Sequence, residues 1–177
     1  PVAINPSRPC GLCGYCQRGM PIHCLDMRFY GSAMRTPHMQ GAFRQTLIAD
    51  ATQCFPVGEA VSLQVAALAE PFSVALHAVT RAGSLTGKRV LVTGCGPIGA
   101  LVAVAARQHG ALSITVTDIL DEPLERIADI VADQVINVAR DCESLSRNNG
   151  AKGQFDIMFE ASGSEAAIRA GLEWVKP

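Results

Sequence analysis

The pattern of apolar and polar positions changes character near Glu70. Before it, glycine, proline and short mixed segments dominate, and only Gln45–Ala49 has the composition of a strand. The stretch as a whole reads as β and loop. Beyond it, strands and helices alternate. Phe72–Ala82 carries apolar residues at helical spacing and stops at Gly83. Arg89–Thr93 is a short β-branched run, Pro97–His109 a small-residue helix with Gly110 behind it, and Ser113–Asp118 a second strand. A helix over Glu122–Ile130, a strand over Gln134–Asn137, a short helix over Glu143–Arg147 and an Asn148-Asn149-Gly150 turn follow. Phe155–Glu160 closes the series as a fourth strand, with a helix over Ser164–Val175. Such alternation predicts a parallel sheet with helices on both faces.

Composition narrows the class without naming a chemistry. Of 177 residues, 49% are hydrophobic and 18% charged, which suits a globular chain and is too apolar for disorder. A net charge of −1 gives no electrostatic case for nucleic acid or an anionic membrane. No apolar run reaches membrane-span length, and Pro1–Cys10 lacks the basic and apolar regions of a signal peptide. The first residue is not Met and the last strand–helix pattern stops at Pro177, so a piece of a longer chain is expected. A cytoplasmic, reducing location is expected from the cysteine usage.

The seven cysteines are unevenly placed. Cys54, Cys95 and Cys142 are scattered, whereas Cys10, Cys13, Cys16 and Cys24 form C-x2-C-x2-C-x7-C. Four soft ligands on one loop suit a closed, structural zinc site, with Gly11, Gly14 and Gly19 giving the backbone room to wrap the ion. Disulfides fit a reducing compartment poorly. An iron–sulfur run would continue with x3-C-P, and a nucleic-acid finger would bring His ligands or basic surroundings.

Gly94-Cys95-Gly96-Pro97-Ile98-Gly99 is a G-x-G-x-x-G turn between a predicted strand and a predicted helix, with Asp118 at the end of the next strand. This is the context of dinucleotide binding. Gly94 allows the tight turn, Gly96 lets a pyrophosphate approach the backbone, and Gly99 permits close helix packing. The helix N-terminus supplies N–H groups and a positive dipole end. Asp118 would accept the adenosine ribose hydroxyls and repel a 2′-phosphate, and Ile119 and Leu120 offer no basic substitute. NAD is therefore expected over NADP. A glycine-rich structural turn with a strand-capping acid is the bland alternative.

Ala69-Glu70-Pro71-Phe72 lies where the texture changes. Glu70 beside a proline, within an apolar stretch, reads as a partly buried acid starting a helix, with a functional role left open. His77 reads as a packed core histidine; His23, His38 and His109 carry no assignment.

Together these residues resemble one family. The cysteine lobe, then E-P-F-S-V-A-L-H-A from Glu70, then G-K-R-V-L-V-T-G-C-G-P-I-G from Gly87, then a strand ending in Asp118, is similar to the zinc-containing medium-chain alcohol and polyol dehydrogenases. Glu rather than Cys at position 70 resembles the sorbitol dehydrogenase-like branch. The runs Val2–Cys10 and Asp26–Met34 carry a further resemblance to sugar-acid enzymes within it. The resemblance implies an α/β chain: residues 1–71 as part of a β-rich, GroES-like catalytic domain with a zinc lobe, and residues 72–177 as part of a Rossmann domain with a doubly wound parallel sheet. It implies structural zinc on Cys10, Cys13, Cys16 and Cys24, and Glu70 facing a catalytic zinc directly or through water. It implies NAD against Gly94, Gly96, Pro97, Ile98, Gly99 and Asp118, with Ser162 and Gly163 bordering the cofactor. The implied substrate is a sugar acid or polyol, and the implied assembly a homodimer or homotetramer. Sorbitol, xylitol or L-threonine dehydrogenases are the alternatives within the family; a non-catalytic NAD-binding module and a zinc-free reductase are those outside it. The family's other catalytic-zinc ligands, a Cys and a Gly-His-Glu motif, would lie upstream of the lobe, so the 177 residues alone are expected to be inactive. A departure from the family is Val131, where it usually has Gly; a local adjustment at that helix end is expected.

Overall fold

The computed structural model describes residues 1–141, 143–146 and 153–177. Cys142, Arg147 and the Asn148-Asn149-Gly150 turn lie outside the described residues. The chain divides into two compact units, Pro1–Ala69 and Glu70–Pro177, where the sequence boundary was set after residue 71.

The first unit holds four short strands in two antiparallel pairs. β1 (Val2–Ile4) pairs with β4 (Cys54–Pro56), and β2 (Ser7–Arg8) with β3 (Arg28–Phe29). Two one-turn helices, α1 (Gly14–Gln17) and α2 (Leu63–Ala66), and two 3-10 turns, Pro21–His23 and Ala51–Gln53, complete it. Its one buried residue, among those described, is polar: Gln53. The Gln53 Nε2 donates to the carbonyls of Asn5 (2.9 Å) and Ser7 (3.2 Å), and its backbone carbonyl accepts from the Asn5 N–H at 2.8 Å. The strand expected at Gln45–Ala49 does not form. Its backbone meets no partner strand, Phe43 and Ile48 stand fully in solvent, and the Ile48 carbonyl instead accepts a long bond from the Tyr30 hydroxyl (3.4 Å).

The second unit is a four-stranded parallel sheet: β5 (Arg89–Thr93), β6 (Ser113–Asp118), β7 (Gln134–Asn137) and β8 (Ile157–Glu160). The strand order is β7-β6-β5-β8, so the winding reverses beside β5. The connecting helices are α4 (Pro97–Gln108), α5 (Asp121–Ala128) and α6 (Glu143–Ser146). α3 (Ala69–Ala82) precedes β5 and α7 (Glu165–Trp174) follows β8. Strand alternation sends Val90 and Val92 into one core layer with Val102, Ala106 and Ile127, and Leu91 into another with Ile136, Phe155 and Trp174. Both faces are therefore covered by helices.

β8 begins two residues later than expected. Phe155 makes only an isolated bridge to Val175, because the Asp156 carboxylate takes over the start of the strand. That carboxylate accepts the Arg89 N–H at 2.7 Å and pairs with Lys176 at 2.5 Å. The turn after α5 shows how Val131 is accommodated. The helix stops at Ala128, and the amides of Ile130, Val131 and Ala132 converge on the Ile127 carbonyl (3.2, 3.0 and 3.1 Å), so no left-handed residue is needed.

His77 is exposed, not packed. The buried stripe of α3 runs through Ala75 and Val79, flanked by Phe72 and Leu76. His77 lies two residues from each stripe position, on the opposite side of a 3.6-residue turn. Glu70 is exposed as well, against the partial burial expected, because Val65 and Leu68 before it leave their side chains at the surface. What remains of its local reading is a first-turn acid next to a proline, which favours the helix dipole.

The Lys176 hydrogen bond, then the Arg89 N–H, hold the Asp156 carboxyl below the ordinary carboxylate value of 3.8. A lowered folded pKa means stability that is present above 3.8 and lost as pH falls through the lower folded value. Asp156→Asn should cost about 1–2 kcal/mol at neutral pH. Urea unfolding as a function of pH should show the difference from the parent chain shrinking as pH drops below that range.

Candidate functional site

A cavity of about 630 Å³ opens at the carboxyl edge of the sheet, between the turns that follow β5, β6, β7 and β8. It lies where the strand order reverses, the place where open α/β sheets bind ligands. Its volume falls within the range of small-molecule sites. Gly94, Gly96, Asp118 and Ser162 line it. Pro97, Ile98 and Gly99 form the first turn of α4 just behind, and Gly163 follows Ser162 in the turn after β8.

The three turn glycines are demanded for different reasons. Gly94 has φ +90°, and a Cβ on it would lie 2.6 Å from the Ser162 nitrogen and 2.7 Å from the Ala161 carbonyl carbon. The turns after β5 and β8 can approach so closely only at a residue without a side chain. A Cβ on Gly99 would overlap the Gly94 carbonyl oxygen. Gly96 is different: its backbone (φ −68°, ψ −179°) suits any residue, and a Cβ there would meet nothing within 4 Å. The fold makes no demand for glycine at Gly96, yet the position faces the cavity. It sits at the N-cap of α4, whose first-turn N–H groups lack partners within the helix.

Asp118 does more than stand at the cavity wall. One carboxylate oxygen accepts the Cys95 N–H at 2.6 Å, and the other accepts those of Ile119 (2.7 Å) and Leu120 (3.0 Å). The acid thus clamps the glycine-rich turn to the start of α5. Cys95 is buried behind it, and burial, followed by the Asp118 charge, pushes its thiol up to about 11. An unforeseen second clamp mirrors the first. Glu160, ending β8, accepts from the Ser162 hydroxyl and N–H and from the Gly163 N–H at 3.0 Å. The Ser162 hydroxyl's bond leads the effects that lower the Glu160 carboxyl. Both strands end in an acid, but only the turn after Glu160, Ala161-Ser162-Gly163, carries the small residues that mark such a turn. Trp174 was also missed. It lines the cavity floor from α7 and is the chain's one tryptophan.

In the first unit the ligating sulfurs of Cys10, Cys13, Cys16 and Cys24 all lie within 4.8 Å of one another. Backbone N–H groups point at them: Cys10 to the Cys24 Sγ (3.1 Å), Asp26 to the same sulfur (3.3 Å) and Cys13 to the Cys10 Sγ (3.4 Å). The backbone N–H of Cys16 leads the bonds that lower the Cys13 thiol to about 6, and that of Leu12 leads those that lower Cys10. Cys16 is pushed up to about 12 by desolvation, then by its shared bond with Cys13. Four sulfurs this close cannot all ionise without a cation among them. The donor set fits a tetrahedral thiolate-bound ion such as zinc. Among the described residues Glu70 joins no such cluster. Among the described residues no cysteine forms a disulfide, and no helix is long and apolar enough to cross a membrane.

No family model matches the chain. Individual proteins do. L-Idonate 5-dehydrogenase (NAD(P)(+)) of Escherichia coli (strain K12) is 41% identical over 172 residues, which is 97% of this chain and 50% of that protein. The similarity is to polyol and sugar-acid dehydrogenases, the zinc-containing medium-chain type that the cysteine lobe and glycine-rich turn resemble. Sorbitol dehydrogenase of Bacillus subtilis (strain 168) is 31% identical over 99% of this chain and 49% of its own length. The crystal structure of L-idonate 5-dehydrogenase from Escherichia coli matches with a TM-score of 0.88 at 40% identity, covering 98% of this chain and 50% of that one. The chain therefore spans about half the length of the relatives it matches, and shares with them an α/β fold built on a parallel sheet.

The glycine geometry separates packing from openness. Gly99→Ala should lower stability by at least about 2 kcal/mol, because backbone must move. Gly96→Ala should stay within about 0.5 kcal/mol of the parent chain. Urea midpoints of the two variants check the contrast.

Proposed function

We propose that the chain is part of a zinc-dependent dehydrogenase that oxidises the C5 secondary alcohol of L-idonate with NAD, giving 5-dehydro-D-gluconate, NADH and a proton. The observation that carries the reading is the open, cavity-facing Gly96 at the head of α4, beside an acid that ends the next strand. The similarity to an L-idonate 5-dehydrogenase supplies the substrate.

Each residue then has a task. Gly96 lets the pyrophosphate reach the backbone, and the N–H groups of Ile98 and Gly99 at the head of α4 offset its charge. Gly94 and Pro97 hold the turn in shape. Asp118 keeps its grip on the Cys95 N–H while the remaining acceptor site on that oxygen takes a ribose hydroxyl, which favours NAD over NADP. Ser162 and Gly163, fixed by Glu160, border the cofactor. When bound, the nicotinamide supplies the hydride acceptor, and a catalytic zinc faced by Glu70 supplies a Lewis acid for the substrate oxygen. Cys10, Cys13, Cys16 and Cys24 hold a second, structural zinc that secures the lobe.

A sorbitol-oxidising enzyme is the second reading, favoured by the sorbitol dehydrogenase relative. Three measurements test these readings, and the last separates them from a binding module. Titrating the chain with NADH should quench Trp174 and saturate, and Gly96→Ala should weaken that binding at least about tenfold. The chain should carry about one zinc, retained in Cys54→Ser and lost in Cys16→Ser or on chelation. Extended to the length of its relatives, the protein should carry about two zinc and reduce NAD with L-idonate ahead of sorbitol, xylitol and L-threonine. One zinc without turnover would leave only a nucleotide-binding module; a preference for sorbitol would leave the second reading.

A further inference from the structure

We infer that the Asp121–Arg140 ion pair is a selectivity latch at the adenosine end of the cavity, withholding from a 2′-phosphate the cation it would need. This rests on the reading of the cavity as a dinucleotide site.

The latch follows from the register of two neighbouring strands. Asp118 at the end of β6 lies opposite Asn137 at the end of β7. Beyond this pair the chain continues on both sides as cavity wall: Ile119 and Leu120 after β6, Val138 and Ala139 after β7. The next residue on each side is charged. They are Asp121 and Arg140, and Nη2 of Arg140 meets Oδ2 of Asp121 at 2.5 Å. Asn137 anchors the arrangement. Its Nδ2 donates to the other Asp121 oxygen at 2.6 Å and to the Ile119 carbonyl at 3.2 Å, while its side-chain oxygen accepts the Ala139 N–H at 3.1 Å. Both oxygens of Asp121 are thus engaged, and the carboxylate is fixed where it can hold Arg140.

A 2′-phosphate would hang from the same ribose that Asp118 grips, and a guanidinium is the side chain best shaped to bind it. Arg140 stands within three residues of Asn137, the register partner of Asp118. Among the described residues another cation, Arg126 on α5, is paired with Glu122 one turn away. The Asp121–Arg140 pair lies at the surface, with side-chain exposures of 38% and 74%, where ion pairs are weak. It is therefore a modest, removable restraint. Discrimination against NADP then has two parts: the Asp118 charge repels the phosphate, and Asp121 occupies the cation that could compensate.

The test uses fragments that need neither nicotinamide nor a catalytic metal. ADP-ribose and its 2′-phosphorylated form are titrated against the chain, read by Trp174 fluorescence and by calorimetry. The parent chain should bind ADP-ribose more tightly. Asp121→Asn should improve affinity for the 2′-phosphorylated form by about fivefold, which is about 1 kcal/mol, and change ADP-ribose affinity less than about twofold. The double variant Asp121→Asn with Arg140→Met should lose that gain, whereas Arg140→Met alone should leave the ratio near the parent's. Such non-additivity is the mark of a direct pair. A gain that persists in the double variant would show that only the removed negative charge mattered, and would overturn the latch. An unchanged ratio in an Asp121→Asn variant that still binds ADP-ribose would overturn it too, leaving the dinucleotide site intact. Failure of the parent chain to bind ADP-ribose would sink the site reading and the latch with it.

Discussion

Everything at the cavity depends on how closely two backbone turns can approach. The turn after β5 lies against the turn after β8, and Gly94 at their contact leaves no room for a side chain. That approach lets β5 sit between β6 and β8 with its carboxyl end facing the point where the winding reverses. Gly99 repeats the demand one turn into α4. Two carboxylates then hold the turns in place: Asp118 on the Cys95 N–H, Glu160 on Ser162 and Gly163. The cavity is thus shaped by main chain and fixed acids before any ligand arrives, which is the kind of preorganisation that favours tight binding.

The two units are stabilised by different physics. The second buries two apolar layers around a parallel sheet, and the hydrophobic effect suffices to explain its order. The first buries only Gln53 among its described residues, and ties its strands through that amide and the four-cysteine loop. A unit without an apolar core needs some other staple, and a thiolate-bound ion is a common one.

Much of the second unit was legible because its signals were local and redundant. For β5, β6 and β7 the β-branched runs coincide with the observed strands, and the G-x-G-x-x-G turn stands between strand and helix as its spacing implied. What the sequence could not carry were contacts made by residues far apart. The shortened β8 depends on Asp156 reaching Arg89 and Lys176. The exposure of His77 and Glu70 depends on which stripe of α3 faces the sheet, which composition around them does not reveal. The absent strand at Gln45–Ala49 failed for a similar reason: β propensity describes fitness for a pleated surface, not the presence of a partner. The engagement of Asp118 with three amides was invisible too, since only the turn geometry brings Cys95 within reach.

Every residue lining the cavity falls between Thr93 and Trp174, inside the second unit. If the cavity is the proposed dinucleotide site, nucleotide recognition is encoded in one uninterrupted stretch of sequence. Such a stretch can be exchanged between relatives by recombination as a single cassette, carrying its cofactor preference with it. Changes in the first unit would then leave that preference untouched, and the two halves of the chain would be free to drift at separate rates.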